Sequence, residues 1–102
     1  MKSTVITEFV EISVPETTTV EQFTEKAENF NNFLSKQNGY IDGELVKALE
    51  GNAWRFIFHF ENMEKVKAIG EKMRSSIEFN EFKSVIIPEN LRVSFFHQVR
   101  KW

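Results

Sequence analysis

The chain has 102 residues, 41% of them hydrophobic and 27% charged, with a net charge of −2 at neutral pH and no cysteine. These totals fit one folded domain over residues 1–102. They exclude a disordered tail, a disulfide framework, thiol catalysis, Cys-ligated metal, and an electrostatic case for nucleic acid or an anionic membrane. The N-terminal stretch Met1-Lys2-Ser3-Thr4-Val5-Ile6-Thr7-Glu8 reaches a carboxylate too soon for a signal peptide. The longest apolar runs are three residues, Phe56-Ile57-Phe58 and Val85-Ile86-Ile87, so no membrane span is expected and the expected setting is the cytoplasm. Eleven of the aromatic residues are phenylalanine, against two Trp and one Tyr, and the fold must house them all.

In chain order, Thr4 to Val14 alternates: Ile6, Val10, Ile12 and Val14 share one parity, which Glu8 interrupts, and Val5, Thr7, Phe9, Glu11 and Ser13 hold the other. Period two with β-branched residues predicts a strand, ended by Pro15. Thr18 with Glu21 and Thr19 with Gln22 both have capping-box spacing. Val20, Phe23, Ala27, Phe30 and Leu34 then line one face of a first helix, and Asn38-Gly39 stops it. Tyr40 to Glu50 reads as a polar edge strand.

Gly51-Asn52 turns the chain into a third strand, Ala53 to Glu61, with Trp54, Phe56, Phe58 and Phe60 on its even face. Apolar residues on both parities make it a central strand. Asn62 caps a second helix bearing Val66, Ile69, Met73 and Ile77. Gly70 inside that helix costs about 1 kcal/mol relative to Ala and suggests close backbone packing. Ser75-Ser76 breaks the helix, Phe79, Phe82 and Ile86 mark a second short piece, and Leu91 to Val99 is a last strand after a turn at Pro88.

The order β-α-β-β-α-β predicts an α+β, ferredoxin-like fold: a four-stranded antiparallel sheet with two helices on one face. Strands one and three are expected as central, parallel neighbours. The uncovered face is assigned Phe9, Ile57, Leu91, Val93 and Phe95, and such a patch calls for a homodimer through the open sheet face. His59, Arg55, Glu11 and His97 are expected on that face too, with the two histidines toward opposite ends. Trp54 is expected either beneath the first helix or as an interface anchor.

With these elements placed, the chain resembles the antibiotic biosynthesis monooxygenase (dimeric α/β-barrel) superfamily over nearly its whole length. The resemblance rests on Gly39-Tyr40, on Arg55-Phe56-Ile57-Phe58-His59-Phe60-Glu61-Asn62, on Ser76-Ile77-Glu78-Phe79-Asn80-Glu81-Phe82 and on Pro88 before the last strand. It implies cofactor-independent oxidation of quinols or polyketide aromatics, or haem degradation. Relatives often carry Trp where this chain has Phe60, and His where it has Glu78. Haem-degrading members use an Asn in strand one, where this chain has none, so the resemblance does not extend to haem oxygenation.

The candidate site lies between helices and sheet. Phe56, Phe58 and Phe60 are expected to meet Phe23, Phe30, Phe79 and Phe82, either as a solid core or around a cavity for a small apolar or aromatic ligand. Glu8 shares the inward parity, and burial raises the pKa of an unpartnered carboxyl. Such a group suits abstraction of a proton from a phenol or quinol, which leaves the ring electron-rich enough to react with dioxygen. The bland alternative for Glu8 is a salt bridge or an exposed position. Glu78 is a second candidate at the cavity mouth, or else an exposed helix carboxylate. No phosphate loop, nucleophile elbow or metal set is present in the sequence, so no cofactor or metal is expected. Two functions follow: a cofactor-independent monooxygenase acting on a small aromatic or quinol-type substrate, or a non-catalytic dimeric domain that binds an apolar ligand or is structural.

Overall fold

β1 (Ile6–Ser13) forms where the β-branched residues alternate, and the computed structural model, which describes residues 4–102, places it inside a four-stranded sheet. Met1, Lys2 and Ser3, on which the signal-peptide expectation begins, lie outside the described residues. β1 is followed by α1 (Val20–Ser35), β2 (Tyr40–Lys47), β3 (Ala53–Phe60), α2 (Met63–Arg74), α3 (Ile77–Lys83), a single 3-10 turn (Pro88–Asn90) and β4 (Arg92–His97). The order across the sheet is β2-β3-β1-β4. This is the expected α+β, ferredoxin-like arrangement.

The helix boundaries follow from local chemistry. Thr19 caps α1: its hydroxyl accepts from the Gln22 amide at 3.1 Å while Gln22 Oε1 accepts from the Thr19 amide at 2.9 Å. Asn62 caps α2, accepting from the Lys65 amide at 2.9 Å. Ser76 ends one helix and starts the next, donating to Met73 O at 2.7 Å and accepting from the Phe79 amide at 3.1 Å. Ile77 therefore begins α3 instead of extending α2, and it is exposed. β2 ends three residues earlier than the alternation suggested, at Lys47 rather than Glu50.

One expectation about direction is overturned. β1 and β3 pair antiparallel, not parallel, with Ile6 opposite Phe60 and Val10 opposite Phe56. The crossover through α1 makes β1 and β2 run the same way, and the turn at Gly51-Asn52 then reverses the chain into β3. Both histidines consequently lie at one end of the sheet, His59 opposite Thr7 and His97 opposite Ile6. They sit on different faces, because Thr7 and Ile6 point to opposite sides of β1.

The core lies between the helices and the even face of β1 and β3. Phe23, Ala27, Phe30 and Leu34 of α1 are buried against Phe56, Phe58 and Phe60, with Phe82 and Ile86 beside them. Trp54 packs beneath α1, its ring centroid 4.7 Å from that of Phe23.

Gly39 marks the tightest backbone approach. Its φ is +103°, and a Cβ there would stand 2.4 Å from the Lys65 Cβ of α2. Gly51, at φ +82°, has open space around it. Gly39→Ala is therefore expected to lower stability by about 2–4 kcal/mol, through both the left-handed backbone and the clash. Gly51→Ala is expected to cost only about 1–2 kcal/mol, for the backbone alone. Urea unfolding of the two variants checks this, and equal losses would contradict the clash.

Candidate functional site

α1 packs on α3 and β2, and α2 packs on α3 and β3, so no helix covers β4. All six residues of β4 are exposed. The uncovered helix-side strip of β4 leaves a cleft of about 460 Å³ with β1, β3 and β4 as its floor and α2 and α3 as its wall. That volume suits a small aromatic molecule.

Of the residues singled out in the sequence, Glu8, Phe30, Phe58, Phe60, Phe79 and Phe82 come together around this cleft. Phe23 and Phe56 do not. Phe23 is fully buried against Trp54 and Phe82, and Phe56 stacks on Phe58 with its outer edge toward a separate shallow groove beside α1. Glu78 is half-buried in the first turn of α3 and does not line the cleft, because the helix turns Phe79 and Phe82 inward instead. The ring cluster is thus solid at one end and open at the other.

β4 corrects the assignment of faces. Val93 lies opposite Val10 and Phe95 opposite Glu8, so both point toward the helices and line the cleft with Leu91. His97, opposite Ile6, belongs to that side as well. The open face receives Phe96, whose ring meets Phe9 edge-on at 5.4 Å. Register decides this, since both parities of β4 are apolar. Sequence reasoning also missed the α2 contribution: Met63, Lys67, Gly70 and Arg74 line the cleft at helical spacing, the stripe beside the buried Ile69. Gly70 has nothing within 4 Å of where a Cβ would stand, so close packing is not its reason.

The open face carries a polar network around its apolar patch. Arg55 pairs with Glu11 and lies 5.5 Å from the Phe9 ring, and His59 Nδ1 is 2.7 Å from Asp42 Oδ1. Among the described residues no three His, Asp or Glu side chains gather to hold a metal ion. No helix among them is long and apolar enough to cross a membrane.

Glu8 is the chemically distinctive group. Phe58 and Phe95 stand directly opposite it on the neighbouring strands, and it lines the cleft among mostly apolar side chains. No hydrogen bond or ion pair to its side chain is present among the described residues. Burial without a partner pushes its pKa from 4.5 up to about 7. A raised folded-state pKa adds stability that is complete below the unfolded value and is lost as pH rises through the folded one. Glu8→Gln should therefore match the native chain below about pH 4.5 and exceed it above about pH 7, by up to about 3 kcal/mol. Urea midpoints at the two pH values check the sign; an unchanged difference would mean that Glu8 is solvated.

No family model matches the chain, and neither does any curated protein sequence. Solved structures do match. SnoaB from Streptomyces nogalater, a cofactor-independent oxygenase, superposes with a TM-score of 0.76 at 11% identity, covering 95% of each chain. A candidate antibiotic biosynthesis monooxygenase from Nitrosomonas europaea gives 0.76 at 10% identity, covering 96% of this chain and 93% of its own. A conserved protein of unknown function from Bacteroides thetaiotaomicron, a possible oxidoreductase, gives 0.73 at 16% identity over 94% of this chain and 99% of its own. The chain shares the ferredoxin-like fold of these proteins.

Proposed function

We propose that the protein is a cofactor-independent monooxygenase that oxidises a small aromatic or quinol-type substrate in the cleft between helices and sheet, with Glu8 as the base. The observation that carries this reading is the unpartnered Glu8 carboxyl on the otherwise apolar floor of the cleft. A base whose pKa lies near the working pH combines the right protonation state with useful driving force. Phe58, Phe60 and Phe79 supply faces and edges for a planar ring, at about 0.5–1.5 kcal/mol per ring pair beyond area burial.

The chemistry balances without a bound cofactor. Glu8 takes a proton from a ring-activated C–H or O–H, leaving a delocalised carbanion or phenolate. That anion gives one electron to dioxygen, and the two radicals join, forming a C–O bond to a peroxide that recovers the proton from Glu8. Loss of the remaining hydrogen on that carbon, as a proton, breaks the O–O bond. One oxygen stays as a carbonyl and the other leaves as water; the substrate supplies all the electrons.

Oxygen uptake with a panel of quinols and hydroxylated anthrones tests the reading. The native chain should consume oxygen and place one labelled oxygen atom in the product, and Glu8→Gln should lower kcat by about 10²–10⁴-fold. Unchanged turnover in that variant would remove Glu8 as the base. Binding without oxygen uptake would favour a ligand-binding domain.

We further propose that a second copy of the chain covers the open face. Phe96 is 55% exposed and Val46 39%, and Phe9 and Ile57 on the same face are half-buried in the isolated chain. A contiguous patch of this kind on a sheet face is characteristic of an interface, and self-association is its commonest form. Light scattering at micromolar concentration should give twice the 12.0 kDa chain mass, and Phe96→Lys should return it to one. A monomeric native chain would contradict the proposal.

A further inference from the structure

The α2 side of the cleft carries charges that the proposed oxidation does not use. Lys67, Gly70, Glu71 and Arg74 line it at spacings of three and four residues, which places them on one stripe of the helix. Lys67, Glu71 and Arg74, with Glu8 on the opposite side, are all the charged groups of the cleft. Neither cation has an ion pair or side-chain hydrogen bond among the described residues, whereas the half-buried Lys26 pairs with Glu81 at 3.3 Å. Glu71 follows Lys67 by four residues, and the Lys-before-Glu order is the weaker orientation for such a helix pair. Two cations against one carboxylate leave this rim net positive.

Gly70 stands between the cations. A glycine inside a helix costs about 1 kcal/mol relative to alanine, and here no close backbone contact offsets it, because the space where a Cβ would stand is empty. The missing side chain leaves open space on the cleft lining, flanked by Lys67 one turn before it and Arg74 one turn after.

We propose that Gly70 forms the entrance of the cleft and that Lys67 and Arg74 at its sides select an aromatic ligand carrying an acidic substituent, the ring lying among the phenylalanines and the anionic group held at the rim. This deepens the aromatic-cleft reading above and rests on it. An arginine and a lysine on one rim give a charge-assisted site for a carboxylate. The rings behind them reject a small hydrophilic anion, so neither half of the site suffices for selection.

Calorimetric titration with 2-naphthoate and its neutral isostere 2-naphthamide tests this at low ionic strength and about pH 6, where naphthoate is ionised and Glu8 is mostly protonated. The native chain should bind naphthoate at least about tenfold more tightly than the amide, and Lys67→Met combined with Arg74→Met should abolish that preference by weakening naphthoate. Gly70→Leu, a helix-favouring change, should raise the thermal midpoint and weaken both probes by about tenfold or more. Equal binding of the two probes to the native chain, or a preference that survives in the double variant, would overturn the cationic rim while leaving the aromatic cleft intact. Unchanged affinities in Gly70→Leu would overturn the entrance. If neither probe binds the native chain, the aromatic-cleft reading itself fails, and the rim with it.

Discussion

β1 is hydrogen-bonded along both edges, to β3 on one side and β4 on the other. A strand held in this way cannot turn one residue over without breaking two ladders, and a one-residue slip would send its whole inward set to solvent. That set is Ile6, Val10 and Ile12, all buried. Each contributes about 1.5–3 kcal/mol on burial, so together they outweigh the desolvation of one carboxyl. Glu8 faces the cleft because its neighbours do, and the strand carries it there at a cost the apolar residues cover. The candidate chemistry therefore depends on strand register before it depends on any side-chain contact.

The phenylalanines divide along the sheet according to what lies above them. Phe30 is the hub: its ring stacks on Phe82 at 5.1 Å and meets Phe79, Phe56 and Phe58 between 5.6 and 6.3 Å. Toward Trp54 and Phe23 the rings close into a solid core under α1. Toward β4 nothing closes them, since α2 commits only Ile69 to the fully buried set and no helix reaches over Val93 and Phe95. The same composition thus serves as packing at one end and as a ligand-sized wall at the other. The core-or-cavity alternative posed by the sequence resolves into both, in different halves of one cluster.

How much of this could be read in advance follows from what alternation and helical spacing encode. Strand and helix positions, the Thr19 capping box, the Asn62 cap and the break at Ser76 were legible because each is a local hydrogen-bonding pattern. The inward side of β1 was legible because one parity is β-branched and apolar apart from Glu8, while the other mixes Val5 and Phe9 with Thr7, Glu11 and Ser13. The faces of β4 were not, because Val93 and Phe95 alternate with Ser94 but Phe96 follows on the other parity, and only the pairing of Phe95 with Glu8 settles which is which. Strand direction escaped as well, since it belongs to the connections and not to the strands. On α2 the spacing identifies the stripe that points inward; it does not say that the helix stands off from β4, so nothing singles out Lys67 and Arg74, and Gly70 reads as a packing glycine.

Similarity to SnoaB at 11% identity carries the backbone plan and nothing finer, so the chemistry has to be sought in how this chain fills that plan. Two strands link its cleft and its open face. On β1, Glu8 enters the cleft while Phe9 and Glu11, on the other parity, build the open face with Arg55. On β4, Phe95 stands beside Glu8 while the next residue, Phe96, packs on Phe9 across the sheet. Adjacent in the chain, Phe95 thus belongs to the cleft and Phe96 to the open face. Side chains on successive residues of a strand cannot be positioned independently.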